Sequence, residues 1–299
     1  MAGFSTFAFH PIYLHPMKLV ECPRDAMQGW SEFIPTARKT EYLNALLRVG
    51  FDTLDFGSFV SPKAIPQLAD TAEVLDGLDL SQSGTRLLAI VANLRGAEAA
   101  AHHPQIRYIG FPLSVSETFQ QRNTNKSIQQ ALAEVAAIQE VCARTGQEQV
   151  VYLSMGFGNP YGDPWSPAVL GEFTQKLDAL KVGIVALSDT IGASVPATIA
   201  PPFQELTAAF PHIEFGAHLH TTPDTWQEKV HAAYHAGCRR FDGALGGYGG
   251  CPMATDKLTG NMPTEQLIGF AAAHGEDLRL HMDALQEAQS INQEIFGGH

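Results

Sequence analysis

Apolar positions recur along this chain in short continuous runs, and between the runs they fall on one side of longer segments at helical spacing. The runs read as strands buried on both faces: Lys18–Cys22, Phe51–Gly57, Arg86–Val91, Tyr108–Pro112, Val150–Ser154, Gly183–Ser188, Ile213–His220 and Arg240–Ala244. The segments between them read as helices. Thr36–Val49 puts Tyr42, Leu43, Leu46 and Leu47 on one side and ends at Gly50. Further helices are predicted around Ala97–Ala101 and over Ser127–Thr145, Pro167–Ala179, Pro196–Phe210 and Thr225–Ala236, the last stopped by Gly237. Strands alternate with helices over short connections, without a Pro/Gly/Ser linker or a low-complexity run. The pattern therefore predicts an α/β fold, a TIM (β/α)8 barrel over about 17–245. An active-site loop from about 246 leads into a C-terminal helical extension from about Thr264 to Phe296, and 1–299 reads as a single domain. Residues 1–16, with His10 and His15, read as an aromatic-rich packing arm.

Composition narrows the function. With 45% apolar and 17% charged residues the chain is composed like a globular protein. A net charge of −12 argues against a nucleic-acid partner or an anionic membrane surface, and it makes any anionic substrate depend on a local basic site. Cys22, Cys142, Cys238 and Cys251 are scattered, with no CxxC pair, which fits free thiols in a reducing compartment. No apolar run approaches the roughly 20 residues that span a bilayer. The first residues show no basic stretch followed by an apolar core, so the cytoplasm is the expected location.

In such a barrel chemistry gathers at the C-terminal ends of the strands. His218 and His220, two apart on the seventh strand, point to one side and make half a shell for a divalent cation. The pair alone reads equally as two hydrogen-bonded histidines near a surface. Arg24 and Asp25 follow the first strand, Asp55 lies in the second, Asp189 closes the sixth, and Cys251 and Asn261 lie beyond the eighth. Strand eight closes on strand one, so Asp25 can face His218 and His220 across one gap that Asn261 can fill. Two nitrogens and two oxygens suit Mg²⁺ or Mn²⁺. Taken singly, Asp25 reads as a surface partner of Arg24 and Asn261 as a turn residue after Gly260. Their convergence carries the assignment.

The remaining candidates sort by context. Cys22, Cys142 and Cys238 sit in apolar segments and read as packing residues. Cys251 differs, because it follows Gly246-Gly247-Tyr248-Gly249-Gly250, a run without the spacing of a phosphate-binding loop, and it reads as functional. His102, His103, His231 and His235 read as solvated, and Asp52 as a strand-start residue.

These motifs resemble the 3-hydroxy-3-methylglutaryl-CoA lyase family, within the superfamily of metal-dependent lyases and Claisen-condensing TIM barrels. Val20-Glu21-Cys22-Pro23-Arg24-Asp25-Ala26-Met27-Gln28 is similar to the family's V-E-x-x-P-R-D-G-L-Q, one residue shorter before the proline. Ser58 to Lys63 is similar to its S-F-V-S-P-K, Ser188 to Gly192 to its G-D-T-I-G, and His218-Leu219-His220 to its H-x-H. Gly246 to Pro252 resembles its G-L-G-G-C-P loop, and Gly260-Asn261 with Thr264-Glu265 its G-N-x-x-T-E. The likeness runs in collinear order from about residue 18 to about 270.

The resemblance implies retro-Claisen cleavage of 3-hydroxy-3-methylglutaryl-CoA to acetyl-CoA and acetoacetate, an acyl-CoA substrate and a divalent metal, Mg²⁺ or Mn²⁺. By position, Asp25, His218, His220 and Asn261 would hold the metal and Arg24 would stabilise the departing enolate. Cys251, on a glycine-hinged mobile loop, would close over the substrate and take part in proton transfer, with His220 as a second shuttle. Asp189 and Asp55 would shape the polar floor. This chain departs from the family in having Asp55 for Glu, Thr221 where an acid follows H-x-H, and one extra residue between Cys251 and Asn261. The lysine that follows the R-D motif and helps hold the coenzyme A phosphates is also absent, with Lys63, Arg95, Arg122 and Lys126 as candidate replacements. The departures motivate a second reading, a related aldolase or lyase on another 3-hydroxyacyl thioester or hydroxy acid. A third is a non-catalytic acyl-CoA-binding paralogue. Such enzymes tend to form symmetric oligomers, so a homodimer is expected.

Overall fold

A computed structural model of the chain describes residues 16–250 and 259–297. Most of the expected packing arm, and Cys251, lie outside the described residues. The elements run β1 (Lys18–Glu21), α1 (Pro23–Gln28), α2 (Thr36–Val49), β2 (Thr53–Ser58), α3 (Thr71–Asp76), β3 (Arg86–Ile90) and α4 (Leu94–Ala101). The chain continues through β4 (Ile106–Ser114), α5 (Glu117–Thr124), α6 (Ile128–Thr145), β5 (Glu148–Ser154), α7 (Pro167–Ala179), β6 (Ile184–Asp189) and α8 (Pro196–Ala209). It ends with β7 (Glu214–Thr221), α9 (Trp226–His235), β8 (Arg240–Gly243), β9 (Gly260–Asn261), α10 (Thr264–Ala273) and α11 (Met282–Phe296). β1 to β8 pair in parallel in chain order, and β8 pairs with β1, so the ring closes as a TIM barrel.

Local chemistry explains where the helices begin and end. Ser127 caps α6, its hydroxyl accepting from the Gln130 backbone while the Gln130 side chain accepts from the Ser127 N–H. Ser166 caps α7 ahead of Pro167, whose missing N–H costs nothing at a first helical position. The predicted helices are found within a few residues of their expected limits. The pattern did not anticipate α1, α3 or α5, which are too short to show a helical period. It also missed β9, a two-residue strand. Arg24 and Asp25 accordingly lie in a helical turn opened by Pro23, not in a loop.

The main apolar core lies between the ring and its helices, where each fully buried Leu, Val or Phe contributes roughly 1.5–3 kcal/mol. Inside the ring Leu88, Tyr108, Val150, Tyr152, Ile184 and Ala186 form a smaller apolar cluster on the β3–β6 side. The β7–β8–β1 side of the interior is polar instead, with Arg240 1% and Asp242 3% exposed. The C-terminal extension packs back beside the barrel mouth. Tyr42 Oη donates to Asn292 Oδ1 at 2.8 Å, and Asn292 Nδ2 donates to the Leu245 carbonyl at 3.3 Å. No helix among the described residues is long and apolar enough to cross a membrane.

Candidate active site

Alternation along β7 points Glu214, Gly216, His218 and His220 into the barrel and Phe215, Ala217 and Leu219 into the helical layer. The two histidines therefore stand on one side, with ring centres 5.2 Å apart. On β8 the same alternation turns Asp242 inward, and its Oδ2 lies 3.1 Å from His218 Nδ1. His220 Nδ1 donates to the Thr190 carbonyl at 3.0 Å. Each ring is thus held by one nitrogen, which leaves Nε2 with its lone pair towards the mouth. His220 Nε2 is buried and has no hydrogen-bond partner.

The turn at α1 brings the acidic partner. One oxygen of Asp25 and one nitrogen each of His218 and His220 lie within 4.8 Å of one another. β9 pairs antiparallel with β7 and sets Asn261 opposite His220. Asn261 Nδ2 donates to Asp25 Oδ2 and to the Tyr248 carbonyl, both at 2.8 Å, so its Oδ1 is the atom left to face a cation. Gly249 passes so close that a Cβ there would meet the Asp25 carbonyl oxygen at 2.6 Å, and its φ of +87° also requires glycine. The donors fit a divalent cation on three counts: they converge, the rings are braced from behind, and a buried nitrogen is left without a partner.

Arg24 lies across the mouth, almost buried. Its Nε donates to Asp55 Oδ2 at 3.0 Å and its Nη2 to the same oxygen at 2.6 Å. Its Nη1 donates to Asp25 Oδ1 at 2.8 Å and to Gln28 Oε1 at 3.0 Å. Of five guanidinium N–H bonds four are engaged, and one on Nη2 remains. Burial pushes the Asp55 carboxyl up to about 6 although Arg24 pulls it down. Asp25 shifts the other way, to well below the usual carboxylate range, because Arg24 and then both histidines outweigh its burial. Burial would lower His218, but the hydrogen bond and charge of Asp242 outweigh it and raise its pKa. His220 is lowered, by burial first and then by repulsion from His218.

Asp189 is not on the polar floor. Register places it one position beyond Ser188, which lines the pocket, so it turns outward between the sheet and α9. There it meets Lys229 Nζ at 2.9 Å, both side chains 2% exposed, and accepts from the Ser194 backbone at 3.1 Å. Lys229 also donates to the carbonyls of His220 at 2.8 Å and Gly192 at 3.0 Å. The pair fastens the end of β7 from behind, and breaking such a buried pair costs about 3–5 kcal/mol. Asp55 does lie inside the barrel, beneath Arg24. Asp242 and Lys229 were missed by sequence reasoning. The inward period of β8, one strand over from the histidine pair, was the available signal for Asp242; Lys229 carried none.

The mouth opens into a pocket of about 400 Å³. Arg24, Asp25, Ser188, Thr190, His218, His220 and Gly250 line its polar side, and Ile65, Val91, Pro112, Phe119 and Tyr152 its other side. An adjoining hollow of about 370 Å³ shares Val60 and is lined by Ser58, Ser61, Asn93 and Arg95. Of the cations considered for coenzyme A, Lys126 is paired with Glu134 and Arg122 lies over the Tyr161 ring, 4.7 Å from its centroid.

With this geometry in hand, residues 18–292 match the HMGL-like family model. The chain is 33% identical over 275 residues to a hydroxymethylglutaryl-CoA lyase of Bacillus subtilis, covering 92% of this chain and 91% of that one. It is 32% identical over 281 residues to the 3-hydroxy-3-isohexenylglutaryl-CoA/hydroxymethylglutaryl-CoA lyase of Pseudomonas aeruginosa, covering 92% of each. Among solved structures it is similar to an HMG-CoA lyase of Acinetobacter baumannii in complex with coenzyme A and 3-methylmalate. That match has a TM-score of 0.85 and 29% identity, covering 94% of this chain and 92% of the other.

Proposed function

The chain belongs to the HMGL-like family, and from that premise we propose that it is a divalent-metal-dependent carbon–carbon lyase that cleaves 3-hydroxy-3-methylglutaryl-CoA to acetyl-CoA and acetoacetate. The observation that carries the reading is the convergence of Asp25, His218 and His220 beside Arg24 at the barrel mouth. Asp25, His218, His220 and Asn261 would hold Mg²⁺ or Mn²⁺, whose contribution is to acidify the substrate's tertiary hydroxyl. Loss of that proton turns the hydroxyl carbon into the ketone of acetoacetate. The bond to the neighbouring methylene breaks, and its electron pair passes to the thioester as an enolate. The free Nη2 hydrogen of Arg24 is suited to the enolate oxygen, and Asp55 holds the guanidinium flat against it. Protonation of the enolate carbon gives acetyl-CoA. His220 has only Nε2 to offer, so a histidine engaged with metal leaves this proton to Cys251, which follows the pocket-lining Gly250 in sequence.

Arg95 in the adjoining hollow, with the exposed Lys63, takes over the coenzyme A phosphates from the missing lysine. Two observations favour a second reading. Asp55 is a methylene shorter than the family's glutamate, and the Pseudomonas relative is named for an isohexenylglutaryl thioester as well as for hydroxymethylglutaryl-CoA. Release of acetyl-CoA from a panel of 3-hydroxyacyl thioesters and free hydroxy acids separates the two. Highest kcat/KM on 3-hydroxy-3-methylglutaryl-CoA supports the first, and preference for another member overturns it.

The same reading covers the remaining expectations. A single domain is supported by α11 packing on α2 and is tested by one cooperative unfolding transition. Location in the cytoplasm is supported by the unpaired Cys22, Cys142 and Cys238. A homodimer, the commonest closed assembly, is tested by sedimentation.

A further inference from the structure

On the outer face of the barrel, α9 carries His231 and His235 one turn apart, and His274 stands at the C-terminal end of α10 against them. The three ring centres are 5.1, 5.1 and 5.8 Å from one another, and one nitrogen of each ring lies within 4.8 Å of the other two. We propose that His231, His235 and His274 form a second metal site, separate from the barrel mouth, that takes a borderline-soft divalent cation such as Zn²⁺ and clips α10 to α9. Two of these histidines read from sequence as merely solvated. Both are indeed at least partly exposed, and the fold adds a third from 39 residues further along the chain.

The ring spacing is compatible with three imidazoles sharing one cation. Three imidazoles bound at about 2 Å per Zn–N bond have ring centres about 5 Å apart. His274 Nδ1 donates to the Phe270 carbonyl at 2.8 Å, which fixes its tautomer and leaves Nε2 for a cation. Phe270 also supports the rings, stacked on His274 with centroids 3.9 Å apart and meeting His231 edge-on at 5.1 Å. Slight burial, then repulsion from His235 and His274, lowers the His231 pKa, a shift towards the neutral ring that ligation requires. The nearby Glu276 is already engaged, accepting from Tyr234 Oη at 2.6 Å and from the Met17 backbone at 3.0 Å. The donors are therefore three nitrogens with a fourth position open to water. An all-imidazole set favours Zn²⁺ over Mg²⁺, the reverse of the oxygen-bearing set at the mouth.

The test is a Zn²⁺ and Co²⁺ titration of the full-length protein. His218→Ala disables the mouth site, and His235→Gln with His274→Gln disables the surface site. The His218→Ala protein is expected to bind one Zn²⁺ per chain, to melt higher with it, and to give the visible bands of tetrahedral Co²⁺. Adding the two surface substitutions removes the bands and weakens Zn²⁺ binding at least tenfold. The surface variant with an intact mouth keeps wild-type turnover and its response to Mg²⁺. If the double variant fails to fold, His274→Gln alone carries the same expectation. Zn²⁺ affinity and Co²⁺ spectra unchanged by the surface substitutions, or no zinc bound once His218 is gone, would overturn the proposal.

Discussion

At the N-terminal end of the barrel, Lys18 Nζ meets Glu214 Oε2 at 2.6 Å, Arg86 meets Asp52 at 3.1 Å, and Arg240 approaches Glu214 at 3.4 Å and Asp52 at 3.7 Å. At the C-terminal end, Arg24, Asp25, Asp55, Asp242 and the two inward histidines are crowded as closely. The residue types are much the same, and the difference lies in what is left over. At the floor each of these charges has an opposite charge beside it. Arg240 Nη2 has no hydrogen-bond partner there, but its guanidinium lies over the Tyr108 ring at 5.5 Å. At the mouth, His220 Nε2 and Asp242 Oδ1 are buried without partners. Buried polar groups are normally satisfied, so a leftover such as His220 Nε2, on a residue that lines the pocket, marks where a ligand completes the structure. On the proposed reading, charge at the floor stabilises the ring and charge at the mouth serves the chemistry.

Substitutions at the two ends should part along that line. Apart from removal of a metal ligand, the largest effect is expected from Arg24→Lys, which keeps a charge but loses the fork held by Asp55. Its kcat should fall about 10²–10³-fold with a smaller change in KM, as measured by steady-state kinetics. A drop in KM-dependent binding alone would place Arg24 outside the reaction. At the floor, Arg240→Met should lower unfolding free energy by about 2–4 kcal/mol in urea titrations and leave kcat within about twofold. Loss of turnover in a folded protein would erase the distinction between the ends. Asp242→Asn returns to the mouth. Without its charge behind His218, metal affinity should weaken about 10–100-fold, read by activity against free metal concentration.

The smallest expected effect concerns Glu21, on the outward face of β1 behind the mouth. It accepts from the Leu245 backbone at 2.9 Å and from the Thr264 hydroxyl, yet burial raises its pKa to about 8. The folded state thus prefers the protonated acid. Its contribution is complete below the unfolded pKa of about 4.5 and declines as pH rises to about 8. Glu21→Gln should flatten that fall in stability across this window. A variant with the same slope as the parent would remove Glu21 as its source.

Much of this was legible in the sequence because the barrel's physics is periodic. Doubly buried strands show as apolar runs, and the two-residue period put His218 and His220 together. The family resemblance, carried over by position, put Asp189 on the polar floor, but Asp189 closes β6 facing outward, and it is Ser188 that faces the pocket. Ring closure allowed Asp25 to be matched with β7 across more than 190 positions. What stayed hidden was carried by single contacts: Lys229 reaching back from α9, the two-residue pairing of β9, and His274 arriving beside α9. None of these repeats along the chain, so no pattern announces it.

The central claim is that the mouth is a metal-dependent lyase site. The most direct measurement is acetoacetate release from 3-hydroxy-3-methylglutaryl-CoA by the purified protein with Mg²⁺, with Mn²⁺ and with EDTA, alongside His218→Ala. The account predicts release with either metal, none with EDTA, and at least a 10³-fold loss in His218→Ala with the fold intact. Release that persists in EDTA, or in a folded His218→Ala protein at the parent rate, would contradict it.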